Sequence, residues 1–206
     1  MKSTLARFLL FIAAGVFCSL SLPAQEQNLT FESLPGELGT TTWATVIQDS
    51  RGYLWFGSYG TGLYMYDGST TTRFQYDPFD PFTISQNNIY TAFIDKKDTI
   101  WLGTPEGLCK FDTHTGKFTR FTSSLIPGMP ELGNVNCINE DDQGYLWISN
   151  FNGHLWRYDR RNDEFLELTS KLNGGRHPTS GFYELLRVIY KDRNKTFWVV
   201  TSRGLN

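Results

Sequence analysis

Residues 53–57 read YLWFG, residues 100–103 read IWLG and residues 145–149 read YLWIS. A fourth, looser version, FWVV, stands at 197–200. The tryptophans inside these phrases are Trp55, Trp101, Trp147 and Trp198, spaced by 46, 46 and 51 residues. Six residues before each stands an aspartate: Asp49, Asp95, Asp141 and Asp192. Six or seven residues after the tryptophans come Gly62, Gly107, Gly153 and Gly204. A leucine follows at once as Leu63, Leu108 and Leu205, and one residue late as Leu155. Three units run on to an aromatic–aspartate pair, Tyr66-Asp67, Phe111-Asp112 and Tyr158-Asp159. Self-similarity at such a period marks a repeat architecture, in which each unit buries its apolar face against a neighbour.

Each unit divides into short apolar strands parted by turn signals. ATVIQD, YLWFGS, LYMYD and TRFQY are the four strands of the first unit, with DSRG, YGTG and GSTT between them. The second and third units repeat the order, and the fourth begins it with VIYKD and TFWVV. Four strands in about 46 residues without helical periodicity predict an all-β fold, a β-propeller of four-stranded blades. The blades fall at 44–88, 89–134 and 135–181, with a partial one at 182–206. A β-sandwich also has short strands and many turns, but it does not require one phrase at a fixed period.

The stretch at 87–112, NNIYTAFIDKKDTIWLGTPEGLCKFD, resembles the two-component regulator propeller repeat. The resemblance extends over residues 40–206 and is best in the second unit. The third departs at Ser149-Asn150, where the family has Gly-Thr, and the fourth at Val200-Thr201. The resemblance implies the periplasmic sensor region of hybrid histidine kinases from Bacteroidota. On it the chain is expected to be the N-terminal piece of a longer sensor, with the remaining blades of the parent as partner. A glycan fragment or other extracellular cue is the implied ligand. The kinase module of such a parent is not expected in this sequence.

Lys2 and Arg7, the apolar run FLLFIAAGVF at 8–17 and Ala24 read as a signal peptide over 1–24. Residues 25–43 then lead into the propeller. The expected location is exported and periplasmic, with no membrane span after the signal peptide. Without Lys2 and Arg7 the balance is 17 basic against 21 acidic residues, a net charge of −4. That charge, with no basic cluster, argues against a nucleic-acid partner. Cys109 and Cys137 lie in separate repeats and are expected as free thiols.

The aspartates Asp49, Asp95, Asp141 and Asp192 sit at strand-to-turn junctions, where a carboxylate accepts backbone N–H groups. They are expected to be structural rather than catalytic. DPFDP at 77–81 and EDDQ at 140–143 lack the alternating acids of a calcium loop, so no metal or other cofactor is expected. The four anchor tryptophans are expected in the core. Trp43, placed just before the first strand, and Tyr59 are the candidate exposed rings for stacking on an oligosaccharide. A non-catalytic ligand-sensing propeller is the leading reading, and a polysaccharide-acting hydrolase or lyase is the alternative. An enzyme needs acids converging on one place, whereas repeated positions form a ring. Specificity is expected where the units differ, in loops such as SYGT, TPEG, NFNG and TSRG.

Overall fold

The structure is a computed structural model that describes residues 36–126, 128–169, 186–201 and 204–205. The expected signal peptide and the end of the third unit lie outside the described residues. The chain forms two compact units, Met1–Gly39 and Thr40–Asn206. The described part of the first is a 3-10 turn at Gly36–Gly39.

The second unit is built of antiparallel sheets in strict chain order. The first sheet holds β1 (Trp43–Gln48), β2 (Leu54–Ser58), β3 (Leu63–Tyr66) and β4 (Thr71–Phe74). The second holds β5 (Thr91–Ile94), β6 (Ile100–Thr104), β7 (Gly107–Asp112) and β8 (Lys117–Phe121). The third holds β9 (Val135–Glu140), β10 (Leu146–Asn150), β11 (Leu155–Asp159) and β12 (Glu164–Glu167). The fourth holds β13 (Leu186–Lys191), β14 (Phe197–Thr201) and β15 (Gly204–Leu205). These are three complete propeller blades and part of a fourth, and among the described residues the sheets do not close a ring. The first strand begins at Trp43, so this residue is part of the first blade and not of the segment before it.

Register decides which residues meet between blades. Directly paired residues share a face of the sheet. Trp101 pairs with Phe93, while Ile100 pairs with Ile94 and Phe111, so the two sets point to opposite neighbours. The core follows this division. Trp55, Ile47 and Met65 of the first blade pack on Ile100, Leu102, Cys109, Phe111 and Phe118 of the second. Trp101 and Phe121 of the second blade pack on Leu146, Ile148, Trp156 and Tyr158 of the third. Trp147 and Leu155 of the third blade pack with Ile189, Phe197 and Val199 of the fourth.

Each anchor tryptophan with a following blade, Trp55, Trp101 and Trp147, therefore lies on an aromatic ring of that blade. Trp55 is 5.3 Å from Phe111, Trp101 6.0 Å from Tyr158 and Trp147 5.0 Å from Phe197, centroid to centroid. Trp55 and Trp101 are almost wholly buried, Trp147 is half-buried, and Trp198 is 38% exposed. The expectation of four core tryptophans fails at Trp198 for a simple reason. No sheet among the described residues covers that face of the fourth blade.

The glycine two residues after the tryptophan has a packing role. A Cβ on Gly103 would lie 2.4 Å from the carbonyl oxygen of Val135 and 2.6 Å from the Thr91 Cγ2. Gly57 is equally close to Ile89 of the second blade. Absence of a side chain lets the next blade approach. Gly103→Ala is expected to cost about 1–3 kcal/mol through overpacking, read as a lower thermal midpoint.

The aromatic row, a candidate functional site

The blades have two ends. One carries the turns between each first and second strand, and the other carries the second-to-third-strand turns and the linkers. The first end is occupied by the repeated aspartates. Each accepts the indole N–H of its tryptophan on one carboxylate oxygen, at 3.2, 3.0, 2.9 and 2.9 Å along the chain. The other oxygen accepts the backbone N–H groups two and four residues on, at 2.8–3.0 Å. One side chain thus closes the turn and fixes the rotamer of a tryptophan six residues away. The fourth position of the turn, three residues after the aspartate, has positive φ, held by Gly52 and Gly144 but also by Asp98 and Lys195. Burial raises the pKa of Asp49, but hydrogen bonds from Arg51, Trp55 and Tyr53 outweigh it and leave the carboxyl below its usual range.

Polar bridges tie these turns from blade to blade. Ser50 of the first blade donates to Asp98 of the second. Arg160 of the third blade reaches Asp95 of the second and also holds Glu140 of its own. Asp142 of the third pairs with Lys191 and Lys195 of the fourth. The carboxylates here are thus engaged in structure.

The opposite end is different in kind. Tyr59, Tyr90 and Phe151, one from each of the first three blades, form a continuous row. The Tyr59 and Tyr90 centroids are 6.2 Å apart, and those of Tyr90 and Phe151 are 5.3 Å apart. Tyr59 and Phe151 are exposed, at 51% and 43%, and Tyr90 is half-buried between them. The interplanar angles of 52° and 80° make the row a trough rather than a flat shelf. The backbone N–H of Tyr59 donates to the Thr42 carbonyl at 3.1 Å, and that of Phe151 to the Asn134 carbonyl at 3.0 Å. Each loop is thereby pinned to the start of its own blade. The Tyr90 hydroxyl lies 3.5 Å from Asn134 Oδ1, so amide groups stand beside the rings.

Of the two candidate rings, Tyr59 stands in this row. Trp43 does not. It packs against Phe56 and Tyr64, with centroids 5.3 and 5.1 Å away. Sequence reasoning missed Tyr90 and Phe151. Phe151 occupies in the third blade the place of Tyr59 in the first and of Pro105 in the second. Tyr90 stands where the first and third blades have Ala44 and Asn136. The signal was the contrast between aligned units, not the shared phrase.

A separate cavity of about 470 Å³ lies between the linker after β8 and the β11–β12 hairpin, floored by Phe121, Met129 and Phe165. Its acids are partly engaged: Asp159 is bonded by Arg161 and Asn162, and Asp163 accepts the Tyr158 hydroxyl at 2.6 Å.

Cys109 and Cys137 are free. Cys109 is buried on the face that receives Trp55, and burial pushes its thiol up to about 12. Cys137 faces the fourth blade, where its sulfur accepts the Ile189 N–H at 3.2 Å.

Comparison with known proteins agrees with this architecture. The family described as two component regulator propeller matches at residues 83–106 and 129–152. These segments cover the approach and the first two strands of the second and third blades. Histidine kinase P4 of Formosa agariphila is 33% identical over 63 residues, 30% of this chain and 5% of its own length. Two solved extracellular domains come from B. thetaiotaomicron proteins assigned as hybrid two component systems. The first is 25% identical with a TM-score of 0.68, covering 88% of this chain and 23% of its own. The second is 23% identical with a TM-score of 0.61, covering 84% and 20%. The chain therefore spans a quarter or less of the length of these relatives. With four Asp–Trp pairs in register and the family match on two blades, the second and third blades of the chain are similar to the two component regulator propeller repeat.

Proposed function

We propose that the chain is the ligand-contacting part of an exported two-component sensor propeller and performs no chemistry of its own. It takes an oligosaccharide across the row Tyr59–Tyr90–Phe151. The observation that carries the reading is that row, exposed at one end of three adjacent blades. Sugar rings present C–H faces that stack on aromatics, and their hydroxyls need polar partners such as the Asn134 amide. The similarity to extracellular domains of two component systems supports the sensor role and the exported location. A polysaccharide hydrolase or lyase finds less support. The repeated carboxylates each hold an indole and a turn, at the opposite end of the blades from the row.

Calorimetry against a panel of neutral oligosaccharides tests the proposal. Binding heat without product is expected. Tyr90→Ala is expected to cost about 2 kcal/mol, roughly thirtyfold in Kd, because Tyr90 is the central ring. Product formation, or binding that is indifferent to Tyr90→Ala, overturns it.

A further inference from the structure

We infer that the cavity between the linker after β8 and the β11–β12 hairpin is a second binding site, for a small organic ammonium ion carried on an aromatic body. At about 470 Å³ it falls in the range of small-ligand sites, and it shares no lining residue with the row Tyr59–Tyr90–Phe151.

The occupant follows from a comparison inside the molecule. One repeat earlier, the linker after β4 meets the β7–β8 hairpin through a ring and two cations. The Lys117 ammonium stands 4.6 Å from the centre of the Phe82 ring. The backbone N–H of Phe118 donates to the Phe82 carbonyl at 2.9 Å. Arg120 donates to the carbonyls of Thr83, Asp77 and Asp80 at 2.8, 3.1 and 2.7 Å. In the next repeat each of these groups is exchanged. Gly128 stands 46 residues after Phe82, the spacing of Trp101 and Trp147. Lys117 pairs with Asp112 and Glu164 with Asp159, so Glu164 holds the place of Lys117. Arg120 gives way to Glu167, which is engaged by His154 at 2.8 Å and Thr169 at 3.0 Å. The ring and the cations are replaced by space and acids, and both Gly128 and Glu164 line the cavity.

The site is preformed on both sides. On the linker, Ile126 donates its N–H to the Thr122 carbonyl at 3.1 Å, and Met129 to the Ile126 carbonyl at 3.2 Å. On the hairpin, the Tyr158 hydroxyl donates to Asp163 at 2.6 Å and Arg161 to Asp159 at 3.1 Å. Little ordering is left for a ligand to impose. Phe121, Met129 and Phe165 offer the apolar floor for a ring. The ionic lining is Asp159, Asp163 and Glu164 against one base, Arg157. Arg161 answers Asp159, and Tyr158 bonds Asp163, but among the described residues the Glu164 carboxylate has no partner. An anion is repelled there, and a neutral molecule leaves Glu164 unanswered. An ammonium on a ring supplies together what Phe82 and Lys117 supply one blade earlier.

The test titrates the full chain with phenethylammonium at neutral pH, followed by amide NMR. Phenylethanol, of the same shape without the charge, is the control. Phenethylammonium should shift the amides of Ile126, Gly128, Met129, Glu164 and Phe165 with a Kd on the order of 1 mM, as a ligand of this size allows. Phenylethanol should bind about fivefold more weakly, and Glu164→Gln should weaken phenethylammonium about threefold, as loss of an exposed ion pair does. Glu164→Lys, which returns the cation of the second blade, should weaken it about tenfold or more. Tyr90→Ala should leave this binding unchanged. Equal affinity for phenylethanol, indifference to Glu164→Lys, or no shift at these amides overturns the inference. So does a loss of binding with Tyr90→Ala, since the ammonium would then occupy the aromatic row.

Discussion

Trp101→Ala is expected to lower the unfolding free energy by about 3–5 kcal/mol, the usual cost of removing a buried indole. Three losses coincide at this residue. Its ring leaves Phe121 and Tyr158, at 5.8 and 6.0 Å, and opens a cavity between the second and third blades. Asp95 loses the N–H bonded at 3.0 Å while remaining buried. The turn that Asp95 closes then loses its tie to β6. Urea denaturation followed by circular dichroism reads the effect. Trp198→Ala gives the internal comparison. It has the same sequence motif and the same indole–aspartate bond, but half of its packing partnership is missing, so a clearly smaller loss is expected. Equal losses at the two positions would mean that the motif, not the interface, sets the stability.

Arg160→Ala is expected to cost a similar amount, about 3–5 kcal/mol, by a different route. The guanidinium joins Asp95 of the second blade to Glu140 of the third. It also donates to the Gly144 carbonyl at 3.0 and 2.7 Å. The side chains of Asp95 and Glu140 are only 1% and 6% exposed. Removing the cation leaves two buried carboxylates facing each other, which is far worse than never having had the pair. Arg160→Lys should recover little, because one ammonium cannot reproduce a planar fork holding two acids and a carbonyl. The same denaturation measurement distinguishes these outcomes.

The fold was legible because a propeller writes its architecture several times. Trp55, Trp101 and Trp147 with their aspartates fix strand, turn and blade order from spacing alone. Three features were not legible. Burial of Trp198 depends on what covers it, which a local phrase does not encode. The bond from each aspartate to its indole crosses a turn and a strand, so spacing hints at the partnership without showing it. The aromatic row is the clearest case. Tyr59, Tyr90 and Phe151 are 31 and 61 residues apart in sequence and occupy two different repeat positions. Only the stacking of blades brings them side by side. Trp43 illustrates the converse, since a ring that looks available in the sequence is packed on Phe56 and Tyr64.

The division of labour between repeated architecture and variable surface can be tested directly by fluorine NMR. The protein is labelled with fluorotyrosine and fluorotryptophan and titrated with the oligosaccharide that gives heat in calorimetry. The Tyr59 and Tyr90 resonances should move while those of Trp55, Trp101 and Trp147 stay in place. Movement of the anchor tryptophans with still tyrosines would contradict it, and would return the repeated phrase to the role of a binding platform.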